Sequence, residues 1–327
     1  MRDIGLAGLT GAGKSTLFTA LTRTGAAGGR SNQAVVAAPD PRLEILAEIE
    51  RSARVVPARV RFLDVPGGLS SQSIATLREA DALAIVLAAF HPAADPTADL
   101  ETIRAELMLA DLAGVESGLE GAHRRARGRD EEAKADVRRL TRARHTIEAE
   151  RPLRSGDWSD EDLKSLRGYG FLTLKPWIVV ANLEEGAEVP PNLPPDTVGV
   201  FASIEAEVAA MDPAEGDALL REFGVEEPGL ERMIRAAYGA LDLITFLTTG
   251  EDETRAWQVR RGALAPEAAG QIHSDLERGF IRAEVVSYDN LVAAGSMKAA
   301  KEQGLVRTEG KAYEVREGDV LNILFSV

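Results

Sequence analysis

The sequence predicts an α/β protein: a doubly wound, mostly parallel sheet carrying a P-loop, an inserted antiparallel helical hairpin, and a small C-terminal α+β domain. Three observations predict it. "GLTGAGKST" (8–16) satisfies G-x-x-x-x-G-K-[ST] between a short apolar run and a helical pattern. Apolar runs alternate with helix-forming segments through the first two hundred residues. From Ala98 to about Glu150 the chain is nearly all helix former.

In order, Ile4–Gly8 is a short apolar strand, and residues 15–22 carry Leu17, Phe18 and Leu21 at helical spacing. "RVRFLDV" (59–65) is a second strand. "ALAIVLAAF" (82–90) is apolar throughout, as a buried parallel strand requires. Leu100, Ile103, Leu107, Leu112, Val115 and Leu119 mark one helix stripe, and Val137, Leu140 and Ile147 a second, separated by the charged break "RGRDEE" (127–132). "PWIVVAN" (176–182) and "VGVFAS" (198–203) complete the sheet. After Asp242, "ITFLTT" (244–249) and "TRAWQV" (254–259) read as a hairpin, Pro266–Leu276 as a helix opened by proline, and "RAEVVSY" (282–288), "AYEV" (312–315) and "VLNILFSV" (320–327) as strands. The boundaries expected are 1–97 and 166–241 for the P-loop domain, 98–165 for the helical insert and 242–327 for the C-terminal domain.

Composition narrows the chemistry. The 327 residues include no cysteine and four histidines, which excludes disulfides and thiolate zinc sites and disfavours a histidine metal site. A net charge of −14 opposes non-specific DNA or RNA binding, although "HRRARGR" (123–129) is a local basic run. No apolar run approaches the ~20 residues that span a bilayer, and the N-terminus does not read as a signal peptide. A cytoplasmic protein without membrane or DNA partners is expected.

The phosphate site follows from backbone chemistry. Gly8 and Gly13 permit a loop wrapped around an anion. The amides of Gly11, Ala12, Gly13, Lys14, Ser15 and Thr16 face it at a helix N-terminus. Lys14 is placed to reach β and γ phosphates, and the Ser15 hydroxyl to bind Mg²⁺. "FLDVPG" (62–67) ends a strand in D-x-x-G, so Asp64 can hold the Mg²⁺ shell and Gly67 can present its amide to a γ-phosphate, beside Lys14 in catalysis. At the base site, a guanine-binding Asn-Lys-x-Asp is replaced by Asn182-Leu183-Glu184-Glu185. Without the Asp carboxylate a site loses its main hold on guanine, and Asn182 can still pair with the N7 and N6 edge of adenine.

At this point the residues resemble the Obg-like ATPases of the YchF type, over nearly the whole chain. The resemblance rests on "GKSTLF" (13–18), "PDPRLEILAEI" (39–49), "ELMLADL" (106–112), "FLTLKP" (171–176), "ANLEE" (181–185), "EEPGLERMIRAAY" (226–238), "GALAPEAAGQIHSDLERGFIRAEVVSYD" (262–289) and "EGDVLNILFSV" (317–327). It implies ATP in preference to GTP, slow hydrolysis with Mg²⁺, a helical arm, a C-terminal TGS domain of β-grasp type, and association with ribosomes. Through "FASIE" (201–205) it also places Ala202 and Ser203 near the base, and through "ANLEE", where the family has Asn-x-x-Glu, it counts Leu183 and Glu185 with Asn182 among the nucleotide-binding residues.

The chain departs from the family in its catalytic half. Thr10-Gly11-Ala12 stands where the family has Pro-Asn-Val, whose asparagine is linked to a potassium ion. The switch I region, between Gly25 and Val35, is short and has no threonine, and switch II (67–83) is reduced. Gly68 follows Gly67 and has no side chain to orient a water. Gln72 or His91 could substitute, but no motif places either, and both read as surface residues. Two readings therefore stand: a weak adenine-nucleotide hydrolase acting as a switch, or a non-hydrolysing module that binds a ribosome or RNA through the arm and TGS domain. A GTPase is a weaker third. Arg124, Arg125, Arg127 and Arg129 are the arm's expected rRNA contacts, with a solvated helix face as the alternative.

Overall fold

A computed structural model describes residues 2–22, 32–65, 67–127, 130–225 and 227–326. Most of the expected switch I segment, and Arg129, lie outside these residues. The first elements are β1 (Arg2–Ala7), α1 (Lys14–Thr22), β2 (Asn32–Ala37), α2 (Arg42–Glu50), β3 (Val55–Val56), β4 (Arg59–Asp64), α3 (Ser71–Glu79), β5 (Ala82–Ala89), α4 (Pro96–Ala126), α5 (Glu131–Glu148), α6 (Asp160–Arg167), β6 (Trp177–Leu183) and β7 (Val198–Val200). There follow α7 (Ala202–Val208), α8 (Pro213–Glu222), α9 (Gly229–Ala240), β8 (Leu243–Thr248), β9 (Thr254–Arg260), α10 (Ala265–Ile272), α11 (Ser274–Arg278), β10 (Phe280–Ser287), α12 (Tyr288–Ala294), α13 (Met297–Glu302), β11 (Arg307–Glu309) and β12 (Asp319–Phe325).

The chain divides into two compact units, one of residues 2–35 and 61–237, the other of 36–60 and 238–327. The first holds a sheet of order β2-β4-β1-β5-β6-β7, with β1–β5, β5–β6 and β6–β7 parallel. Ala82–Leu87 of β5 are buried without interruption, so this strand is covered on both faces. Its order reverses about β1, and the loops that leave β1, β4, β5 and β6 at their C-terminal ends form the place where such sheets bind ligands.

The helical insert belongs to this unit. Asp95 caps α4 by accepting from Ala98 N, and Pro96 sits in its first turn. At 31 residues, α4 is about 46 Å long. Asp130 caps α5. Val115, Leu119 and Ala122 of α4 close on Leu140, Ala143 and Ile147 of α5. Arg139 of α5 is buried among four carboxylates: Glu132 and Asp136 of its own helix, and Glu161 and Asp162 of α6, the pair that fixes α6 against α5.

The second unit has a sheet of order β11-β10-β12-β8-β9-β3. β8 and β9 form the expected hairpin, β12 runs parallel to β8, and β10 antiparallel to β12. Residues 36–60, which the sequence reading leaves with the P-loop segment, group here: Val55 and Val56 of β3 pair with Thr254 and Arg255, and Arg42 of α2 binds Glu317 at 2.7 Å. Two other expectations change. Residues 312–315 form no strand. Only Glu314 bridges Leu264, because a turn at Gly310–Tyr313 returns the chain beside Ala263–Ala265. The helix expected over 266–276 breaks at His273, whose extended backbone starts α11 and whose Nδ1 accepts from Asp275 N.

Candidate nucleotide-binding site

The loop between β1 and α1 is shaped by close approach. A Cβ on Gly8 would stand 2.5 Å from the Val86 carbonyl oxygen of β5. Gly13 has φ +84°, and a Cβ there would stand 2.2 Å from the Asn182 side-chain nitrogen. Glycine is required at both. The loop returns through Ala12 N to Leu9 O, and Leu17 N bonds Gly13 O as the helix begins. The first turn of α1 holds no acidic residue of its own, and Ser15 and Thr16 are exposed there, where the helix end favours an anion.

Lys14 is only 7% exposed. Its ammonium donates to Gly8 O at 3.0 Å and Leu9 O at 2.8 Å. Burial pushes its pKa down, against the pull of the Asp64 charge. Ser15 Oγ donates to Asp64 Oδ2 at 2.9 Å, and Asp64 Oδ1 is buried with no hydrogen-bond partner. A buried carboxylate oxygen left open beside a hydroxyl is the hard-oxygen donor set that suits Mg²⁺ completed by phosphates and water. These residues therefore fit a metal–nucleotide complex. No group of three or more His, Cys, Asp or Glu able to hold a metal occurs among the described residues.

The turn after β4 comes back to the same loop. Gly67 and Gly68 have φ +92° and +68°. A Cβ on Gly68 would lie 3.1 Å from Thr10 Oγ1. Ser70 then caps α3 by accepting from Ser73 N. Gln72 and His91 are exposed, His91 lying edge-on to the Phe90 ring.

On the base side, Asn182 is buried at the end of β6 and its two ends face the protein. Nδ2 donates to Ala12 O and Oδ1 accepts from Ala202 N, each at 3.3 Å. The side chain expected to read a base thus also ties the P-loop to the turn between β7 and α7. Leu183 points the other way, into the sheet core, where a Cβ on Gly199 would meet it at 2.8 Å. Glu185 and Ser203 are exposed, and Ala202 is buried. Glu205 holds the turn from below, accepting from Phe201 N and from Gly229 N.

A second polar centre was not legible as such. Asp111 of α4 is fully buried, and accepts from Leu172 N at 2.8 Å, Thr173 N at 2.7 Å and Thr173 Oγ1 at 2.8 Å. Arg78, in the last turn of α3, joins it at 3.4 Å and donates to Ala110 O and Gly170 O. The helix that follows D-x-x-G is thereby fastened to the base of the helical arm. Its signal was the pair of segments "ELMLADL" and "FLTLKP". At the arm's tip Arg124 and Arg127 are exposed, and Arg125 pairs with Asp136 at 3.0 Å.

Known proteins resemble this chain over nearly its whole length. The family model described as 50S ribosome-binding GTPase matches residues 3–106. The YchF-GTPase_C model, described as a protein of unknown function, matches residues 243–326. The ribosome-binding ATPase YchF of Haemophilus influenzae is 40% identical over 358 aligned positions, covering 99% of each chain. That of Bacillus subtilis is 37% identical over 361 positions with the same coverage. Both alignments are longer than this chain, so the relatives carry segments it lacks. The solved YchF GTPase of Schizosaccharomyces pombe superposes with a TM-score of 0.86 at 28% identity, covering 99% of this chain and 97% of that one. The fold is the P-loop GTPase type, and the chain belongs to the YchF family.

Proposed function

We propose that this chain binds ATP with Mg²⁺ at the P-loop, hydrolyses it slowly as a switch, and works on the ribosome in the cytoplasm. The observation that carries the reading is the Lys14, Ser15 and Asp64 cluster joined to a base side with no guanine-clamping aspartate. Lys14 supplies positive charge to the terminal phosphates, and the loop amides and the Gly67 N–H supply directional donors. Ser15 and Asp64 would hold Mg²⁺, which when bound would supply positive charge against the phosphates. Ala202 and Ser203 border the base, whose adenine edge finds no aspartate demanding a guanine amine. Leu183 contributes core packing and Glu185 a solvated carboxylate, so neither contributes a clamp.

Slow turnover has a local cause. Gly68 offers no side chain to align a water, and Gln72 and His91 lie exposed. The same feature favours a second reading, a module that binds nucleotide without hydrolysing it. In either case we assign the helical hairpin as the ribosome-facing arm and the C-terminal unit as a TGS-type domain, in keeping with relatives that carry ribosome-binding names.

Calorimetric titration of the nucleotide-free protein with MgATP and MgGTP tests the site. ATP is expected to bind more tightly, and Lys14→Ala to weaken it by at least ~30-fold, the lower bound for truncating a buried charge contact. Preference for GTP, or no effect of Lys14→Ala, defeats the reading. Single-turnover hydrolysis separates the slow enzyme from the non-hydrolysing module.

A further inference from the structure

In the C-terminal sheet β12 outruns its neighbour. Val320 registers with Leu247 of β8, and β8 ends one residue later at Thr248. β12 continues to Phe325. On one side Asn322, Ile323, Leu324 and Phe325 remain paired with Glu284, Ala283, Arg282 and Phe280 of β10. On the other side no strand is registered with them among the described residues. About 13 Å of strand edge therefore presents backbone donors and acceptors without a strand partner.

That edge opens on a groove of about 690 Å³. Leu321, Asn322, Ile323 and Phe325 line it along the strand, and Trp257, Ile272 and Leu276 contribute to its apolar walls. Phe325 is 44% exposed. The rim is the β8–β9 loop. Glu253 is occupied by Arg54 at 2.6 Å and Arg255 at 3.0 Å, and the Arg255 guanidinium lies over Trp257. Glu251 and Asp252 are exposed, and neither has a salt bridge among the described residues. With three carboxylates, Glu251, Asp252 and Glu253, against two guanidiniums, Arg54 and Arg255, the rim keeps a small negative excess, carried by the loop's exposed tip, which disfavours nucleic acid and favours a cation there.

We propose that the Asn322–Phe325 edge of β12 receives an extended basic segment of a partner protein as an added strand. Backbone pairing gives the affinity. An apolar side chain of the segment enters the groove over Ile323 and Trp257, and a flanking Lys or Arg meets Glu251 or Asp252. This surface is independent of the nucleotide site, so it stands or falls separately from the ATP reading.

The test uses the full chain and a pool of capped synthetic hexapeptides alternating Lys or Arg with Val, Ile, Phe or Tyr. Fluorescence anisotropy is expected to show saturable binding that weakens with salt, and amide exchange to slow in 322–325. N-methylation of alternate peptide amides should abolish binding, because it removes the ladder donors and leaves charge unchanged. Glu251→Lys with Asp252→Lys, both at exposed loop positions, should weaken binding at least tenfold. The proposal is overturned by absence of binding up to millimolar peptide, by equal binding of the N-methylated pool, by protection confined to other segments, or by an RNA hexamer displacing the peptide from this edge.

Discussion

Two buried charges in the P-loop unit are treated in opposite ways. Lys14 lies among backbone carbonyls of its own loop, beside Asp64, which has one oxygen with no hydrogen-bond partner. Asp111, at the base of the arm, is met by two amides, a hydroxyl and a guanidinium. The first centre keeps unspent bonding capacity, and the second has spent it on holding α3, α4 and residues 170–173 together. Saturation of hydrogen bonds, rather than burial, is what distinguishes the two centres.

The largest effect that can break this contrast is on stability. Asp111→Ala strips the acceptor from three donors and leaves Arg78 partly buried without its carboxylate. A loss of about 3–5 kcal/mol is expected, read as a lower urea midpoint at unchanged slope. Survival at wild-type stability would remove Asp111 as an architectural centre. The centre also has a pH signature. Burial pushes the Asp111 pKa up more strongly than its donors and Arg78 pull it down. A carboxyl raised on folding favours the native state most when protonated. Its contribution is complete below the unfolded value and is lost as pH rises through the raised native pKa. In Asp111→Asn that decline should be missing.

A smaller effect is expected at the other centre. Burial pushes the Lys14 pKa down while the Asp64 charge pulls it up. Lys14→Met relieves the first but gives up the second, together with the bonds to Gly8 O and Leu9 O, so the contributions oppose and stability should change by no more than about 1 kcal/mol, read from the urea midpoint, although nucleotide binding is expected to be lost. A fall as large as that of Asp111→Ala would mean that Lys14 is architectural as well.

The smallest effect sharpens the contrast at the arm. Arg125 and Asp136 form an exposed pair, and Arg125→Ala should change stability by no more than ~1 kcal/mol. Combined with Arg124→Ala and Arg127→Ala, it should lower ribosome co-sedimentation and its salt sensitivity. Undiminished co-sedimentation would leave this run as a solvated helix face.

Much of the candidate site was readable because its parts are contiguous. Gly8, Gly13, Lys14 and Ser15 lie in one nine-residue stretch between a strand and a helix, and D-x-x-G closes a strand of its own. The roles of Asn182 and Leu183 were less readable. The motif names the residues, but only the register of β6 turns one toward Ala12 and Ala202 and the other into the core. Glu205 and Arg78 gave no local signal, because each acts on backbone groups distant in sequence or on a neighbouring turn. The β3 dipeptide Val55-Val56 was too short to mark a strand without its partner in β9.

The sequence by itself determined the P-loop, the alternating sheet, the two-helix arm, the hairpin of the C-terminal unit and the family. These follow from backbone preferences and periodicities that act within a few residues. Tertiary structure alone decided that residues 36–60 join the C-terminal unit, that Asp111 and Arg78 bind α3 to the arm, and that β12 overhangs β8. Each depends on which distant groups meet, and contacts between groups so far apart along the chain leave no period in it to be read.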